Sequence, residues 1–279
     1  MKSRDGHPRA PRQPVGLTVA GTDSGGGAGI AADLKTFAAH GVWGTCAVAA
    51  VTAQNTAGVG EIHLIPPAVV TAQIDAVATD IGVSAAKTGM LGDTGVVDAV
   101  AEAVAEWNLH PLVVDPVAVS TSGAQLSTSG GVAAVRNRLL PLADLVTPNL
   151  AEAAALAHWS DLPHDRRGME RLAFALLELG PAAVLVTGGH LPGADAADVL
   201  VTRGGGHQRR WFSGPRLDTT NTHGTGCVLA AAITARLARG EDLIQAIEGA
   251  KDFVTAAIAA GVNLGAGPGA VNPSGPCPP

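Results

Sequence analysis

The residues best suited to chemistry lie in a glycine-rich stretch, NTHGTGC, at positions 221–227. A run of small and aliphatic residues follows this stretch and predicts a helix. A glycine-rich loop that leads into a helix points several backbone N–H groups, together with the positive end of the helix dipole, at one place. We therefore predict an anion hole formed by Gly224, Thr225, Gly226 and Cys227.

The last residue of this stretch, Cys227, is the candidate reactive group. A thiol at a helix N-terminus has its pKa lowered from the free value of roughly 8.5, so we expect Cys227 to be partly ionised. An anion hole beside an activatable side chain is suited to the transfer of a phosphoryl group to a small acceptor. The alternative is a loop that only caps a helix, with Cys227 as a small core residue.

Two motifs after the first two predicted strands are suited to binding a small molecule. The first spans 21–29, contains five glycines and leads into a helix that carries Asp33. It has no G-x-G-x-x-G register, so it is not a dinucleotide fingerprint. Its glycines either allow a ligand to approach the backbone or form only a tight turn. The second motif, TAQNT at 52–56, contains Gln54, whose amide both donates and accepts hydrogen bonds and suits an aminopyrimidine edge.

Two more motifs follow later strands. KTGM at 87–90 places a cation, Lys87, and a thioether, Met90, at a strand end, but Ala86 stands where a Walker A motif needs glycine. TGGH at 187–190 forms another loop that can approach a nucleotide closely.

Oxygen ligands follow the fourth and fifth predicted strands. Asp115 opens the segment DPV, and Asn149 and Glu152 belong to the segment TPNLAE at 147–152. Because Asn149 and Glu152 are three residues apart, they share one face of a starting helix. With Asp115 they are suited to hold Mg²⁺ through water, since that ion keeps much of its hydration shell. The alternative for the pair is an N-cap and its capping-box partner.

Short β-branched runs alternate with alanine-rich stretches, which predicts a largely parallel sheet covered by helices. In such sheets ligands bind beyond the carboxyl ends of the strands, where these motifs fall. The predicted strands span 15–20, 42–50, 85–87, 112–115, 145–147 and 183–187, followed by a hairpin of 198–202 and 208–212. The predicted helices lie near 30–39, 68–80, 95–107, 130–139, 150–157, 166–179, 226–239 and 243–264.

Composition excludes several other classes of protein. Aromatic residues make up 3% of the 279 residues and the net charge is −6, which argues against a nucleic-acid-binding surface. No apolar run reaches the length of about 18 residues that a membrane span needs. The three cysteines, Cys46, Cys227 and Cys277, have neither metal-ligand spacing nor a disulfide framework. We expect a cytoplasmic protein with a disordered extension at 1–14, one domain at 15–268 and a flexible tail at 269–279.

The chain resembles the hydroxymethylpyrimidine/phosphomethylpyrimidine kinases of thiamine biosynthesis, within the ribokinase-like superfamily. The first and last matching segments are specific to these kinases, whereas DPV and PNxxE occur across the superfamily. The cysteine of GTGC is typical of the pyrimidine branch, since sugar kinases usually carry aspartate there. The matching segments are AGTDSGGGAGIAADLKTF (20–37), TAQNT (52–56), AAKTGML (85–91), VVDPV (113–117), VTPNLAEAAAL (146–156), VLVTGGH (184–190) and NTHGTGC (221–227).

The resemblance implies a three-layer αβα sandwich and a dimeric, ATP- and Mg²⁺-dependent enzyme. Such an enzyme phosphorylates 4-amino-5-hydroxymethyl-2-methylpyrimidine and then its monophosphate. The residues that match the family sites are Gly21, Asp33, Gln54 and Met90 around the pyrimidine, Asp115 and Glu152 at the metal, Asn149, Thr187, Gly188 and Gly189 at the nucleotide, and Gly224, Thr225, Gly226 and Cys227 at the reacting phosphoryl group. The resemblance makes Cys227 the base or a positioning group.

Three positions depart from the family pattern. Thr187 stands where many members have lysine, the segment AVST at 118–121 replaces a pattern closer to Met-Val-Ala-Lys, and Thr52 stands where an aliphatic residue is frequent. The second phosphorylation is the step most exposed to these lost cations. The alternatives are a pyridoxal or pyridoxine kinase of the same superfamily and a catalytically weak pyrimidine-binding protein. The intact 21–29 loop and Gln54 favour the pyrimidine, and the intact GTGC segment favours catalysis.

Overall fold

Nine strands form one sheet in the structure, a computed structural model that describes residues 13–120, 123–189, 191, 195–203 and 208–275. The order across the sheet is β3-β2-β1-β4-β5-β6-β7-β8-β9. The strands are β1 (Val15–Gly21), β2 (Trp43–Asn55), β3 (Gly58–Leu64), β4 (Ala85–Thr88), β5 (Leu112–Val114), β6 (Leu145–Val146), β7 (Ala183–Val186), β8 (Asp195–Thr202) and β9 (Gln208–Pro215).

The central six strands, from β2 to β7, are mutually parallel, and β3, β8 and β9 are antiparallel to their neighbours. Parallel strands need crossover connections, which the helices supply on both faces of the sheet. Because the carboxyl ends of all six strands meet at one edge, the motifs that follow them converge there. The predicted parallel sheet with a β-hairpin near the carboxyl terminus is confirmed.

Helices cover the two faces unequally. Side chains on successive strand residues point to opposite faces, so Leu112 and Val114 pack in one apolar cluster and Val113 packs in another. The first cluster includes buried residues of α2 to α6, and the second includes buried residues of α1, α7 and α8. The helices are α1 (Gly29–Ala39), α2 (Pro67–Asp80), α3 (Thr94–Trp107), α4 (Ser129–Ala134), α5 (Leu150–Ala157), α6 (Arg166–Leu177), α7 (Thr225–Ala238) and α8 (Leu243–Ala259).

Strand β3 is the one element of the sheet that the sequence analysis did not predict. Strand β2 continues five residues past the predicted end at Ala50, through the segment that carries Gln54, and then turns into β3. Asn55 makes this turn, since its side chain accepts hydrogen bonds from the backbone N–H groups of Ala57 and Gly58. The binding motif 52–56 is therefore part of a hairpin rather than of a loop.

The last helix is shorter than predicted, because α8 ends at Ala259 and the chain then turns back. Val262 and Ala270 form an isolated antiparallel bridge, and Ala270 also pairs with His223. Val271 is buried, so this part of the segment predicted to be a flexible tail is packed against the body of the protein. Of the predicted N-terminal extension at 1–14, only 13–14 lie among the described residues. No helix in the described part of the chain combines the length and apolarity needed to cross a bilayer.

Candidate active site

The glycine-rich stretch at 221–227 forms the N-terminus of α7, as predicted. Gly224 is the N-cap residue and adopts a left-handed conformation with φ of 84°, which favours glycine. A Cβ atom there would lie 1.9 Å from the carbonyl oxygen of Gly27, so the site has no room for a side chain. The first-turn N–H groups have no carbonyl one turn earlier to bond. Thr225 N is an exception, since it already donates to the Thr222 carbonyl at 3.2 Å. The N–H groups of Gly226 and Cys227 are available to an anion, and the helix dipole adds to the attraction.

The glycine-rich loop after β1 lies directly against this helix N-terminus. Besides the close approach of Gly27 to Gly224, the backbone N–H of Gly29 interacts with the thiol of Cys227. Gly29 itself has φ of 56°, and a Cβ atom on it would lie 2.4 Å from the carbonyl oxygen of Gly21. Two glycine loops from distant parts of the sequence therefore pack directly against each other at the carboxyl edge of the sheet, and the site beside this junction is called the cleft below.

Lys87 is the centre of a buried charged cluster at the floor of the cleft. It is completely buried on β4, and its Nζ donates to both carboxylate oxygens of Asp33 at 2.9 Å. The same Nζ lies 3.7 Å from Oδ2 of Asp115. Burial disfavours the charged amine, but the negative charges of Asp33 and Asp115, and that of Cys227 once its thiol ionises, outweigh it and hold the pKa of Lys87 above its ordinary value. Lys87 is thus a fixed positive charge that joins three predicted site residues.

Asp33, which the resemblance places beside the pyrimidine, is a member of this buried cluster. Its carboxylate has no exposed surface, and it accepts hydrogen bonds from Lys87 and, at 2.7 Å, from Thr18. Burial raises the pKa of Asp33 and the Lys87 charge opposes this effect. Direct contact of Asp33 with the pyrimidine stays a prediction, and in this structure its carboxylate faces Lys87 and Thr18.

The expected low pKa of Cys227 is wrong. Burial raises the pKa of the thiol to about 12, and the neighbouring carboxylates Asp115 and Asp33 add to this effect. The Lys87 charge and the Gly29 N–H act in the opposite direction but do not compensate. A position at a helix N-terminus does not yield a thiolate here, because the one adjacent cation is already paired with two carboxylates. Cys227 nevertheless remains partly exposed in the cleft.

Asp115 and Glu152 form a pair of carboxylates close enough to repel each other. Burial and, to a smaller extent, the Asp115 charge raise the pKa of Glu152 to about 8. Burial raises the pKa of Asp115 to about 6 despite the opposing charge of Lys87. Oδ2 of Asp115 is buried and has no hydrogen-bond partner among the described residues. Two crowded carboxylates, one with an oxygen that lies 3.7 Å from Lys87 but accepts no hydrogen bond from the described residues, are suited to a further cation.

Asn149 and Glu152 form the capping box that the sequence offered as their alternative role. The Asn149 side chain accepts from the N–H groups of Ala151 and Glu152, and Oε2 of Glu152 accepts from Asn149 N at 3.0 Å. Glu152 also accepts from the backbone of Ala118. The structural role fixes the Glu152 carboxylate beside Asp115, so it does not exclude a role in binding.

The three remaining residues predicted to surround the pyrimidine, Gly21, Gln54 and Met90, lie near the carboxyl ends of β1, β2 and β4. Gly21 N donates to the carbonyl of Met90 at 3.0 Å, and a Cβ atom on Gly21 would lie 2.9 Å from the Met90 sulfur. Gln54 is half-buried on β2, and its backbone N–H and carbonyl both bond to the Ser24 hydroxyl. Ser24 therefore ties the strand that carries Gln54 to the glycine loop. Gly21, Met90 and Gln54 thus belong to neighbouring strand ends around the cleft.

The predicted nucleotide residues follow β6 and β7. Thr187 pairs with Asn149 across the two strand ends, and its N–H donates to the Pro148 carbonyl at 2.9 Å. Gly188 is held by Asp198, and a Cβ atom on it would lie 2.1 Å from the carbonyl oxygen of Ala197. Gly189 is exposed with nothing within 4 Å of a Cβ position, so a ligand can approach it. His190 and Thr121 lie outside the described residues.

The sequence analysis gave no role to three residues that organise this site. Lys87 was noted only as a cation at a strand end, although a lysine inside the apolar run AAKT already signals a buried ion pair. Asp23 and His223 belong to the two specific glycine motifs, and their side chains meet at 2.8 Å. Only the fold reveals that pair, since 200 residues separate its members.

A three-layer α/β fold with an anion hole and paired carboxylates at the carboxyl edge of its sheet defines the class of small-molecule kinases. Residues 23–272 match the family described as phosphomethylpyrimidine kinase, and the chain belongs to that family. It is 48% identical over 259 residues to the hydroxymethylpyrimidine/phosphomethylpyrimidine kinase of Streptomyces coelicolor, covering 93% of this chain and 94% of that protein.

Two solved structures share the fold. An ADP complex of Bacillus subtilis pyridoxal kinase has a TM-score of 0.86 and 35% identity, covering 94% of this chain and 98% of that chain. Phosphomethylpyrimidine kinase from Clostridium difficile 630 has a TM-score of 0.77 and 37% identity, covering 88% of this chain and all of that chain. The ribokinase-like fold and the kinase family expected from the sequence are confirmed.

Proposed function

We propose that this protein transfers the γ-phosphoryl group of ATP to the hydroxymethyl group of 4-amino-5-hydroxymethyl-2-methylpyrimidine, and then a second phosphoryl group to the monophosphate. The product is the diphosphate that supplies the pyrimidine half of thiamine. The observation that carries the proposal is the meeting of the two glycine loops, which places the N-terminus of α7 and Cys227 opposite the acceptor-side loop. Phosphoryl transfer needs mainly in-line positioning and charge stabilisation, and this cleft supplies both.

The acceptor binds among Gly21, Gln54 and Met90. The Gln54 amide recognises the polar edge of an aminopyrimidine, because one amide group offers both a donor and an acceptor. Met90 packs against the ring and Gly21 leaves room for it. Asp33 contributes by holding Lys87.

Cys227 acts in this proposal as a positioning group that is protonated at neutral pH. A thiol with a pKa of about 12 donates a hydrogen bond and orients the acceptor hydroxyl. The phosphoryl oxygens bind to the N–H groups of Gly224, Gly226 and Cys227, where developing negative charge is stabilised by donors already in place. The N–H of Thr225 donates to the Thr222 carbonyl and holds the loop.

Asp115 and Glu152 would hold Mg²⁺, which neutralises charge on the ATP phosphates when bound. Mg²⁺ sites commonly use one or two carboxylates together with phosphates and waters. The unpaired Oδ2 of Asp115 fits this use. The described residues contain no group of three or more His, Cys, Asp or Glu side chains that forms a metal site of protein ligands alone.

ATP binds with its phosphates between α7 and the loop of Thr187, Gly188 and Gly189, next to Asn149. These residues offer backbone and neutral polar groups, and the guanidinium of Arg216, which donates to the Gly189 carbonyl at 2.5 Å, adds a cation beside them. The ATP requirement leads us to propose a cytoplasmic enzyme. We also propose a homodimer, supported by the edge position of β3 and by Val51 on the neighbouring strand, a large apolar residue that is 48% exposed.

Pyridoxal is the alternative acceptor, because the fold matches a pyridoxal kinase as closely as it matches a pyrimidine kinase. The test is kcat/KM for ATP-dependent phosphorylation of the pyrimidine alcohol and of pyridoxal, each offered alone. We expect the pyrimidine to be preferred by at least about tenfold, which corresponds to roughly 1.4 kcal/mol of transition-state binding. A preference for pyridoxal would overturn the assignment, and tight pyrimidine binding without turnover would indicate a binding protein.

A further inference from the structure

We propose that Asp23 and His223 are positioning residues. They hold the anion hole at 224–227 in a fixed position relative to the glycine loop at 21–29, which begins at the acceptor-binding residue Gly21. The inference rests on the proposed phosphoryl transfer, because it assigns these residues to that site. Neither side chain has a role in the function described above. Both are buried at the junction of the two glycine loops, where each belongs to a different loop.

Asp23 organises the first loop from within. Its carboxylate accepts hydrogen bonds from the backbone N–H groups of Gly25 at 2.8 Å, Gly27 at 3.1 Å and Ala28 at 2.9 Å. These three bonds fix the path of the chain immediately before α1. A single carboxylate thus holds the curvature of the loop that approaches Gly224.

His223 connects this carboxylate to the second loop. Its Nε2 donates to Oδ2 of Asp23 at 2.8 Å, since a carboxylate oxygen only accepts. His223 directly precedes Gly224, the N-cap of α7. A Cβ atom on Gly27 would lie 2.6 Å from the His223 ring, so the ring packs tightly against the first loop. A shift of His223 therefore displaces the first-turn N–H groups of α7.

The backbone of His223 is held by the segment that follows α8. Its N–H donates to the carbonyl of Gly269 at 3.1 Å, and its carbonyl accepts from Val271 N at 3.1 Å. The same segment reaches the end of β2, where Gly267 N donates to the Thr56 hydroxyl at 3.2 Å. The anion hole is thereby tied to the strand that carries Gln54 as well as to the glycine loop.

The arrangement fits a role in aligning reacting groups. Displacement of reacting groups by about 1 Å can cost about 10²-fold in rate, whereas binding of the separate ligands tolerates it better. The pair lies behind the loops and is itself buried, so it acts on the reaction through backbone position rather than by touching substrate.

The test compares His223→Ala, His223→Gln and Asp23→Asn with the wild type. The Gln side chain keeps an N–H donor near the position of Nε2. We expect His223→Ala to lower kcat with the pyrimidine alcohol about 10²-fold, with KM for that alcohol and Kd for ADP changed less than about threefold. His223→Gln should recover at least about tenfold of the loss, and His223→Ala/Asp23→Asn should be no slower than the slower single variant, because the two residues act as a unit.

The matched control is His110→Gln. His110 donates to Asp144 through Nδ1 at 2.6 Å, but this pair is exposed and precedes β5, at the opposite edge of the sheet from the cleft. Its kinetic constants should equal those of the wild type. Normal kcat in His223→Ala would overturn the proposal. So would a parallel decline of kcat, acceptor binding, ADP binding and melting temperature, which indicates a merely structural contact.

A binding measurement keeps this test independent of the acceptor. A nonhydrolysable ATP analogue differs from ADP by the terminal phosphoryl group that the anion hole receives. His223→Ala should reduce the preference for the analogue over ADP, as measured by calorimetry, while His110→Gln retains it. If the wild type turns over no pyrimidine alcohol, the proposed function fails, and this preference still decides the role of the pair. An unchanged preference in His223→Ala overturns it.

Discussion

The acceptor side and the nucleotide side of the cleft are built from different kinds of groups. On the acceptor side, Lys87, Asp33 and Asp115 form a buried charged cluster whose members are fixed by one another. On the nucleotide side, Asn149 and the loop at 187–189 present backbone and neutral polar groups, and the exposed guanidinium of Arg216 donates to the Gly189 carbonyl at 2.5 Å. The buried charges of the acceptor side are compensated within the protein, whereas the nucleotide side offers the exposed charge of Arg216 and the N-terminus of α7. In the proposed function these groups, together with Mg²⁺, meet the charge on the ATP phosphates.

The largest effect on activity is expected for Asp115, which we place where the acceptor side and the nucleotide side meet. Asp115→Ala should lower kcat/KM at least about 10³-fold, because it removes the carboxylate with the unpaired oxygen and weakens metal binding. The rate is to be measured over a Mg²⁺ titration, with Asp144→Asn at the opposite edge of the sheet as control. Unchanged activity at low Mg²⁺ would exclude Asp115 as a metal ligand.

The buried cluster itself predicts a large effect on stability. Lys87→Met leaves Asp33 uncompensated, and breaking such a pair costs about 3–5 kcal/mol of the free energy of unfolding. Urea denaturation measures this loss. Arg138→Met is the control, since Arg138 is 49% exposed beside Asp98 and contributes at most about 1 kcal/mol. The double change Lys87→Met/Asp33→Leu should recover part of the stability. A loss below about 1 kcal/mol for Lys87→Met would contradict the described cluster.

Substitution of Cys227 tests whether the thiolate or the protonated thiol of this residue contributes to turnover. Cys227→Ala should lower kcat about 10²-fold and change KM little. Cys227→Ser should recover part of the loss, because a hydroxyl also donates a hydrogen bond. Cys46→Ala provides the cysteine control, and we expect it to retain wild-type kinetics. A Ser variant as slow as the Ala variant would indicate that an ionised thiolate carries the effect.

Specificity on the acceptor side is expected to depend on Gln54. Gln54→Ala should raise KM for the pyrimidine about tenfold, which is the loss of one or two hydrogen bonds, and leave KM for ATP unchanged. Gln245→Ala, a change at an exposed position on α8, serves as control. If KM for the pyrimidine stays the same in Gln54→Ala, the polar edge of the ring is recognised elsewhere.

The smallest expected effect lies on the nucleotide side. Thr187→Lys adds the cation that many family members carry, and it should lower KM for ATP about threefold, as a partly screened ion pair does. Steady-state kinetics at varied ATP measure the change, and Thr79→Lys on the exposed part of α2 is the control. A higher KM for ATP would show that this loop already has the charge balance it needs.

The sequence predicts the architecture and the positions of the motifs because both depend on local pattern. Alternating strands and helices predict the parallel sheet, and the glycine motifs predict the two loops beside the cleft. The partners of the buried charged residues depend instead on contacts between distant parts of the sequence. Asp33 and Lys87 are 54 residues apart and become partners only when β1 and β4 are adjacent. The pKa of Cys227 likewise depends on burial and on carboxylates that the fold brings near it. Local sequence signals that Lys87 needs a buried partner but does not identify that partner, and it carries no signal for the pKa of Cys227.

The most direct measurement is a mass-resolved time course with the pyrimidine alcohol, ATP and Mg²⁺. The account predicts that the monophosphate appears first and is then converted to the diphosphate, with two ADP formed per diphosphate. Conversion of the alcohol to neither phosphate, while ATP binds normally, would contradict it.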